Sequence, residues 1–381
     1  MPPEPPRLAS LDAFRGFAIA SMVLVNNPGD WSHIHPPLAH AEWHGWTFTD
    51  TVFPFFLFIV GVSLAISVAR RREAGDGDTR LLASLARRAL VIFLVGLALN
   101  LVPAFDLATV RIPGVLQRIA LCLLVAAPFA VYGGARAAAV GIVALFVAYA
   151  VPMLLVPVPG VSTPAAAGVL EPGRDFASWI DRQVFGAHLW AKARTWDPEG
   201  LVSTLPAAAS VLAGVLAGLW LRTPRSERGK VRGLVVAGLV ALALGLAMHR
   251  LLMPINKNLW TPSYTVFMAG WSLIAFAAFH AAMDAAASAI VRERARRLAL
   301  PLTIFGMNAL FIFAFSGLVA RLLAAVRVGA EGATLKASLY APFRAMPVSP
   351  ENASLAWAIA FTACMFVVAW FMWRKRWFIK A

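Results

Sequence analysis

The side chains best suited to acid–base chemistry lie in one short stretch, residues 30–50. Four of the seven histidines lie there, at positions 33, 35, 40 and 44. An imidazole has an unperturbed pKa of ~6.5, so it can act as a base near neutral pH. Three interpretations are open: a metal site, a single general base with bystanders, or loop histidines without chemistry. The spacing fits no metal-binding motif, and prolines at 36 and 37 interrupt it, so the sequence favours a single base and no metal.

Two carboxylates accompany these histidines. Glu42 lies between His40 and His44, and Asp50 precedes a long apolar run. A neighbouring carboxylate can orient an imidazole and favour its charged form. The segment therefore predicts a histidine base assisted by Asp50 or Glu42.

Further charged residues stand at the ends of apolar runs, where an ionisable group is costly and raises a functional question. In RIPGVLQR, Arg118 lies about one turn inside an apolar helix and needs a partner, either an anionic ligand or a carboxylate such as Asp106. Arg111 begins the same motif. Asp197 and Glu199 precede another run, where negative charge suits a helix N-terminus.

Three other positions carry polar groups of the same kind. Lys257 stands in the run NKNLW with Asn256, Asn258 and Trp260, a set that suits a phosphate or sugar contact. Asn26 ends the first apolar run and either caps the helix or enters a site. Arg15 lies three residues after an aspartate, so the two share a helix face and can pair.

The composition indicates a membrane protein. Hydrophobic residues make up 60% of the 381 residues, charged residues 14%, and the mean hydropathy is +0.72. A soluble domain is usually about half apolar and a quarter charged. The net charge of +15 is therefore expected to report membrane topology rather than nucleic-acid binding. The two cysteines lie within apolar runs and predict neither a disulfide framework nor a zinc site.

Apolar runs long enough to cross a bilayer recur along the chain. They predict an all-α integral membrane protein with about ten transmembrane helices in one bundle, a single domain over 1–381. The spans are 11–28, 51–69, 85–104, 114–132, 137–157, 201–221, 233–252, 263–283, 299–322 and 353–373. Arginine-rich loops alternate with arginine-poor ones, so the positive-inside rule predicts both termini in the cytoplasm. The extracytoplasmic loops are then 29–50, 158–200, 253–262 and 323–352, in a cell (inner) membrane with lipid around the bundle.

Five motifs in order carry a family resemblance. They are LDAFRGFAIASMVLVNN, HAEWHGWTFTDTVFPFFLFIVG, RIPGVLQRIA, DPEGLVSTLP and NKNLWTPSYTVFMAGW. Over roughly residues 8–320 the chain resembles the heparan-α-glucosaminide N-acetyltransferase family and its bacterial relatives. The resemblance implies a multi-pass enzyme that moves acetyl from cytosolic acetyl-CoA to an amine or hydroxyl of a sugar or glycan beyond the membrane, such as a terminal glucosamine.

The resemblance also distinguishes among the polar residues. It implies His40 as the active histidine, acting as general base or transient acyl carrier, and Asn26 as the active-site asparagine. His44 stands where the lysosomal relative has asparagine, and the relative's late GHE motif is replaced by Phe315-Ser316-Gly317. A homodimer is a further implication of the family.

The sequence thus predicts three groups of site residues. The catalytic group is His40, Asn26 and Asp50. The acetyl-CoA contacts are Arg15, Arg111, Arg118, Asn256, Lys257, Asn258 and Trp260. The acceptor contacts are Glu42, Trp43, His44, Asp197 and Glu199. The alternative function is a transporter or binding protein for an amphiphilic anion, without acyl transfer; an inverted-repeat transporter would show an internal repeat, and none is visible.

Overall fold

The computed structural model describes residues 8–160, 167–329 and 332–379 and consists almost wholly of helices. The longer helices are α1 Ala9–Val25, α2 Phe48–Glu73, α3 Asp78–Leu101, α4 Val115–Pro128, α5 Gly134–Leu155, α7 Thr204–Leu221, α8 Glu227–Leu251, α9 Pro262–Met283, α12 Ala309–Ala325 and α14 Pro350–Arg374. The shorter helices are α6 Phe176–Phe185, α10 Ala289–Leu298, α11 Leu300–Met307 and α13 Leu335–Arg344. Strands β1 Arg327–Val328 and β2 Ala333–Thr334 form an antiparallel hairpin before α13.

The described residues contain seven helical segments that are long and apolar enough to cross a membrane. An eighth results if α11 and α12, which meet at an angle of 81°, form one span. These segments confirm a multi-pass helical membrane protein. The difference between the count of eight and the ten predicted spans has two sources: α1 has only 17 residues, and α4 with α5 belongs to one segment, Val115–Leu155. The count of about ten stays a prediction.

The segment Val115–Leu155 turns back on itself at Gly134. The backbone there has φ +59° and ψ −149°, a region that glycine adopts at little cost. Before the turn, the carbonyl of Val131 accepts a hydrogen bond from Arg72 at the C-terminal end of α2. After it, Tyr149 donates its hydroxyl to the carbonyl of Leu259, just before α9, at 2.8 Å. Straight, 41 residues would extend ~60 Å, about twice the hydrocarbon thickness of a bilayer.

Hydrogen bonds between helix termini define two ends of the bundle. At the end we call the histidine end, Tyr264 in the first turn of α9 donates to the backbone carbonyl of Asp50 in the first turn of α2 at 2.5 Å. At the opposite end, the arginine end, the backbone N–H of Ser10 in α1 donates to Asp284 after α9 at 3.0 Å. The arginine end also carries the basic C-terminal turn of α2 and the basic helix α10.

Both described ends of the chain lie at the arginine end. Asn308, between α11 and α12, holds the C-terminal segment through the carbonyl of Trp377 at 3.0 Å and the N–H of Ile379 at 2.9 Å. The four predicted extracytoplasmic loops gather at the histidine end; the predicted loops 158–200 and 323–352 include residues 161–166 and 330–331, which lie outside the described residues.

Small residues let the helices that carry the site approach closely. A side chain on Gly61 of α2 would place its Cβ 1.9 Å from the carbonyl of Val211 in α7, and one on Gly214 of α7 would come 2.0 Å from Phe58. Close approach at small residues is the usual way in which membrane helices pack tightly. It fixes the N-terminal ends of α2 and α7 relative to each other, and both ends contribute to the polar region described next.

Candidate active site

His40 forms a hydrogen bond with a buried carboxylate. Its Nδ1 lies 2.6 Å from Oδ1 of Asp50. The imidazole side chain is 44% exposed, whereas the Asp50 side chain is 1% exposed. A carboxylate bound to Nδ1 selects the tautomer with its proton on that atom, so the lone pair resides on Nε2. The pair therefore presents an oriented base whose partner is shielded from water.

The N-terminus of α2 holds the Asp50 carboxylate in place. Its Oδ2 accepts hydrogen bonds from the backbone N–H groups of Ala41 and Thr47, both at 3.0 Å, and from the Thr47 hydroxyl at 3.2 Å. Thr47 and Asp50 form a capping box, in which each side chain serves the other's backbone. The Asp50 carboxylate thus binds the loop backbone at Ala41, caps the N-terminus of α2 and orients His40. Glu42, the other predicted partner, is exposed.

The other three histidines of the segment have separate partners. His33 Nδ1 lies 2.7 Å from Asp30, and His35 Nε2 lies 3.0 Å from Asn352. His44 Nδ1 accepts a hydrogen bond from the Asn256 amide at 3.2 Å, and burial, followed by the charge of His249, lowers the pKa of His44. Within the described residues, no group of three or more metal-ligating side chains converges.

The loop that contains Lys257 packs against the histidine segment. The backbone N–H of Gly45 donates to the carbonyl of Ile255 at 2.8 Å. Asn256 is fully buried, and its Oδ1 accepts from the backbone of Leu259 at 2.8 Å, so its amide organises this loop. Lys257 and Asn258 are half-buried, while Trp260 is fully buried.

Arg111, Asp197 and Glu199 form a cluster of ion pairs. Arg111 donates to Asp197 through Nε at 2.8 Å and to Glu199 through Nη2 at 2.6 Å. Burial alone would lower the pKa of Arg111, but its bonds to Asp197 and the charge of Glu199 raise it. Burial alone would raise the pKa of Glu199, but Arg111, Lys257 and Arg118 hold it below its ordinary value. The charges in this cluster therefore compensate one another.

Arg118 is buried without a carboxylate in direct contact. Its Nη2 donates to the carbonyl of Gly200 at 3.0 Å and to the hydroxyl of Ser203, and the guanidinium lies over the ring of Trp260, 5.2 Å from its centroid. Its Nε and Nη1 are buried and have no partner among the described residues. Asp106 instead accepts from Thr109 at 2.6 Å, so it is not the partner of Arg118.

A cavity of about 400 Å³ lies at the histidine end between α1, α3, α4, α12, α13 and α14. Asn26 and Arg111 line it, together with Gln117, Arg321 and Lys336. Among the described residues that form its wall, His40 does not appear. Asn26 and His40 are therefore at the same end of the bundle, but the cavity brings only Asn26 and Arg111 of the predicted site together.

Two remaining predicted contacts, Arg15 and Trp43, lie in different parts of the bundle. Arg15 lies near the arginine end, paired with Asp12 at 2.8 Å and donating to Ser63 at 2.9 Å. Trp43 donates its indole N–H to the carbonyl of Leu170 at 2.7 Å and packs edge-on against Trp196. Arg15 is thus remote from His40, and Trp43 joins the histidine segment to the loop 167–200.

Sequence reasoning missed three ionisable side chains of this end. Arg321 lies in an apolar helix, and the cost of a charge there is the signal that could have found it. Lys336 has no such signal, because it lies in the short helix α13, within the predicted loop 323–352 and outside the predicted spans. Asp181 of α6 is buried 2.8 Å from the N–H of Leu201, and burial raises its pKa to about 7. A side chain on Gly200 would place its Cβ 1.8 Å from that carboxylate.

Comparison with known proteins identifies the family. The sequence profile described as heparan-alpha-glucosaminide N-acetyltransferase, catalytic, matches residues 7–255. The heparan-alpha-glucosaminide N-acetyltransferase of Homo sapiens is 29% identical over 336 residues, which cover 74% of this chain and 49% of the human protein. That of Mus musculus is 28% identical over 314 residues, covering 68% and 46%. The chain spans about half the length of the curated relatives it matches. Because the profile covers more than half of its residues, the chain belongs to the heparan-alpha-glucosaminide N-acetyltransferase family.

Proposed function

We propose that this chain is a transmembrane acetyltransferase that moves acetyl from acetyl-CoA to the amine of an amino sugar. The observation that carries the proposal is the 2.6 Å contact between His40 Nδ1 and the buried carboxylate of Asp50. Membership of the family supports the same activity, since both similar proteins bear the name of an N-acetyltransferase acting on glucosaminide.

The chemistry is the aminolysis of a thioester. Nε2 of His40 accepts a proton from the acceptor amine as the nitrogen attacks the acetyl carbonyl. The C–N bond forms, the C–S bond breaks, and the departing sulfur of CoA takes up the proton. In the second route, Nε2 itself attacks the carbonyl and CoA leaves as the thiolate. The amine then attacks the acetyl-imidazole, the bond between the acetyl group and Nε2 breaks, and the proton of the amine passes to the CoA thiolate. Asp50 serves both routes by fixing the tautomer.

Other residues support binding and charge stabilisation in this proposal. The exposed Asn26 amide is the donor for the thioester oxygen, which gains negative charge in the transition state. Arg118 offers the N–H groups of Nε and Nη1, which have no partner among the described residues, to an anionic part of the ligand. Lys257, with Asn256, Asn258 and Trp260 in the same loop, stands beside the Glu199 carboxylate whose pKa it lowers. Asp197, Glu42, Trp43 and His44 remain predicted acceptor contacts.

The orientation in the membrane follows from charge. The arginine end carries Arg70, Arg71 and Arg72 in the last turn of α2 and further arginines in α10, so we place it in the cytoplasm. The histidine end then faces the extracytoplasmic side of the cell (inner) membrane. Cytosolic acetyl-CoA must reach deep into the bundle, and Arg15 near the arginine end is a cation that it would meet on this route. A homodimer stays a prediction of the family.

The decisive experiment compares wild type with His40→Ala in lipid nanodiscs, using labelled acetyl-CoA and glucosamine. Loss of a general base is expected to lower turnover by about 10²- to 10⁴-fold. His35→Ala is the matched control, because His35 contacts only Asn352 among the described residues and is expected to leave turnover unchanged.

Two further readouts separate the alternatives. Added imidazole is expected to restore part of the activity of His40→Ala, and label retained on wild type without acceptor would identify the acyl-histidine route. CoA at ~100 times its Kd is expected to stabilise the fold by about 2.7 kcal/mol in a thermal-shift assay. Full activity in His40→Ala would refute the catalytic assignment; no stabilisation by CoA and no acetyl transfer would leave the anion-transporter interpretation.

A further inference from the structure

The cavity at the histidine end has a strongly cationic wall. Arg111, Arg321 and Lys336 line it, and no carboxylate does among the described residues. Arg111 is already compensated by Asp197 and Glu199. Among the described residues, Arg321 donates only to neutral oxygens, Gly317 O at 3.2 Å and Asn100 Oδ1 at 3.1 Å, so no described carboxylate compensates its charge.

Lys336 is the second cation with little compensation. Its ammonium donates to the backbone carbonyl of Pro28 at 2.9 Å. Burial lowers its pKa below the ordinary value, although Asp30 acts in the opposite direction. The carboxylate of Asp30 is itself bound to His33 at 2.7 Å. An anion entering the cavity would therefore meet two cations whose charge the described residues leave largely uncompensated.

A buried amide without a partner points to the same cavity. Gln117 is 3% exposed and lines the wall, and its Nε2 has no hydrogen-bond partner among the described residues. The other end of this amide, Oε1, packs closely against two glycines. A Cβ added to Gly96 would lie 2.4 Å from Oε1, and one added to Gly114 would lie 2.7 Å from it. An unsatisfied buried N–H is costly, and a ligand acceptor would satisfy it.

The rest of the wall is apolar. Met22, Phe313, Leu323, Trp357 and Phe361 face the same space. A free inorganic anion would leave these surfaces against water, whereas an amphiphile would cover them. About 400 Å³ suits a small polar group with a few carbons of an attached chain.

Part of this wall lies outside the region that the family profile matches. The profile ends at residue 255, whereas Arg321, Lys336, Phe313, Trp357 and Phe361 come after it. His40, Asp50 and Asn26 all lie within it. The catalytic segment is thus shared with the family, while one side of the cavity is built by the part of the chain beyond the match.

We propose that this cavity binds the phosphate of an amphiphilic acceptor, an amino sugar joined through phosphate to a lipid chain, with Arg321, Lys336 and Gln117 holding the phosphate oxygens. This rests on the proposed function, because the sugar amine of that acceptor receives the acetyl group. The apolar side chains contact the first carbons of the lipid, and Asn26, in the same wall, faces the bound acceptor.

The test uses four acceptors that share the glucosamine amine. They are glucosamine, glucosamine 1-phosphate, decyl glucosaminide and the decyl phosphodiester of glucosamine. A charge-assisted hydrogen bond contributes ~1.5–3 kcal/mol, so kcat/KM for the phosphodiester is expected to exceed that for decyl glucosaminide by about tenfold or more. Arg321→Gln is expected to reduce this ratio about tenfold. Arg344→Gln is the matched control, since it removes an exposed cation of α13 that does not line the cavity.

A binding assay keeps the proposal testable without turnover. Decyl phosphate is expected to stabilise wild type against heat, more than inorganic phosphate or decanol does, and to stabilise Arg321→Gln much less. Equal effects of decyl phosphate and inorganic phosphate would overturn the amphiphile in favour of a free-phosphate site. Weaker CoA binding in Arg321→Gln, with no effect of decyl phosphate on wild type, would assign the cavity to CoA and overturn the proposal.

The two proposals fail in different ways. Acetylation of all four acceptors at equal kcat/KM would overturn the lipid-phosphate acceptor and leave the acetyltransferase intact. No acetylation of any acceptor would remove the acetyltransferase, and with it the acceptor role of the cavity, while the decyl phosphate assay would still decide what the cavity binds.

Discussion

The histidine end contains two polar regions that use buried carboxylates differently. In the first, Asp50 is buried but its partner His40 is half-exposed and keeps one ring nitrogen free. In the second, Asp197 and Glu199 are both buried against Arg111, and each carboxylate contacts the same guanidinium. The first region leaves the basic Nε2 atom of His40 available to a substrate. In the second region the charged side chains bind one another.

This difference separates a region suited to catalysis from a region that stabilises the fold. A buried ion pair in which all partners are satisfied holds neighbouring segments together, and removing one partner leaves an uncompensated charge. Here Arg111 precedes α4, and Asp197 precedes α7, so the cluster ties two helix starts together. The His40–Asp50 pair instead orients one side chain toward solvent. We therefore expect substitutions in the first region to change turnover and those in the second to change stability.

The largest expected effect is on turnover in Asp50→Asn. An amide cannot accept hydrogen bonds through both of its terminal atoms, so it loses either the His40 contact or the bonds from Ala41 and Thr47. Loss of tautomer control is expected to lower kcat by about 10²- to 10⁴-fold in the acetyl-transfer assay.

Asp30→Asn is the matched control for that variant. Asp30 also binds a histidine, His33, which is as exposed as His40 at 44%, but the Asp30 side chain is 40% exposed whereas that of Asp50 is 1% exposed. Its kcat is expected to stay within about twofold of wild type, because an exposed pair contributes little. Similar losses in both variants would show that an Asp–His contact alone, without burial of the carboxylate, accounts for the effect.

The next effect concerns stability in Asp197→Asn. Removing one carboxylate from the Arg111 cluster is expected to lower the free energy of unfolding by about 3–5 kcal/mol, measured by denaturant titration in detergent. Glu293→Gln, which breaks the exposed pair with Arg297 at the arginine end, is expected to cost under about 1 kcal/mol. A loss of kcat in Asp197→Asn without a loss of stability would place this cluster in the chemistry instead.

The smallest effect is a pH dependence of stability caused by Asp181. Its pKa is raised from 3.8 to about 7 in the folded protein, because the carboxyl is buried beside Gly200 and Leu201. Between these values the folded state holds a proton that the unfolded chain has released. The contribution of Asp181 to stability therefore falls as pH rises through this window, by at most ~1.4 kcal/mol per pH unit, and changes no further above it.

Melting temperatures at pH 5 and pH 8 check this sign. Wild type is expected to lose more stability across the interval than Asp181→Asn, whose amide cannot ionise. Other groups titrate as well, so the difference between the two proteins is the readout. A larger loss in the variant than in wild type would contradict the buried, protonated carboxyl.

Much of the architecture could be predicted from the sequence, because the apolar runs are local signals. The spans 51–69, 263–283 and 353–373 each lie within one observed helix, α2, α9 and α14. The gap between the predicted spans 114–132 and 137–157 coincides with the turn at Gly134, because it contains the glycine pair at positions 133 and 134. The number of spans depends on two cases. Helix α1 has only 17 residues, and α11 and α12 are long enough to cross a membrane only if the bent pair is counted as one span.

The sequence by itself determined the membrane class, the family motifs and the candidates His40 and Asp50, because each depends on residues close together in the chain. Only the tertiary structure decided the partners: that Asp197 and Glu199 meet Arg111, that Nε and Nη1 of Arg118 have no partner among the described residues, and that α12 and α13 supply cations to a cavity shared with α1 and α4. The physical reason is distance along the chain. Burial of an apolar run depends on its own composition, whereas the partner of a buried charge is set by which helix ends pack beside it.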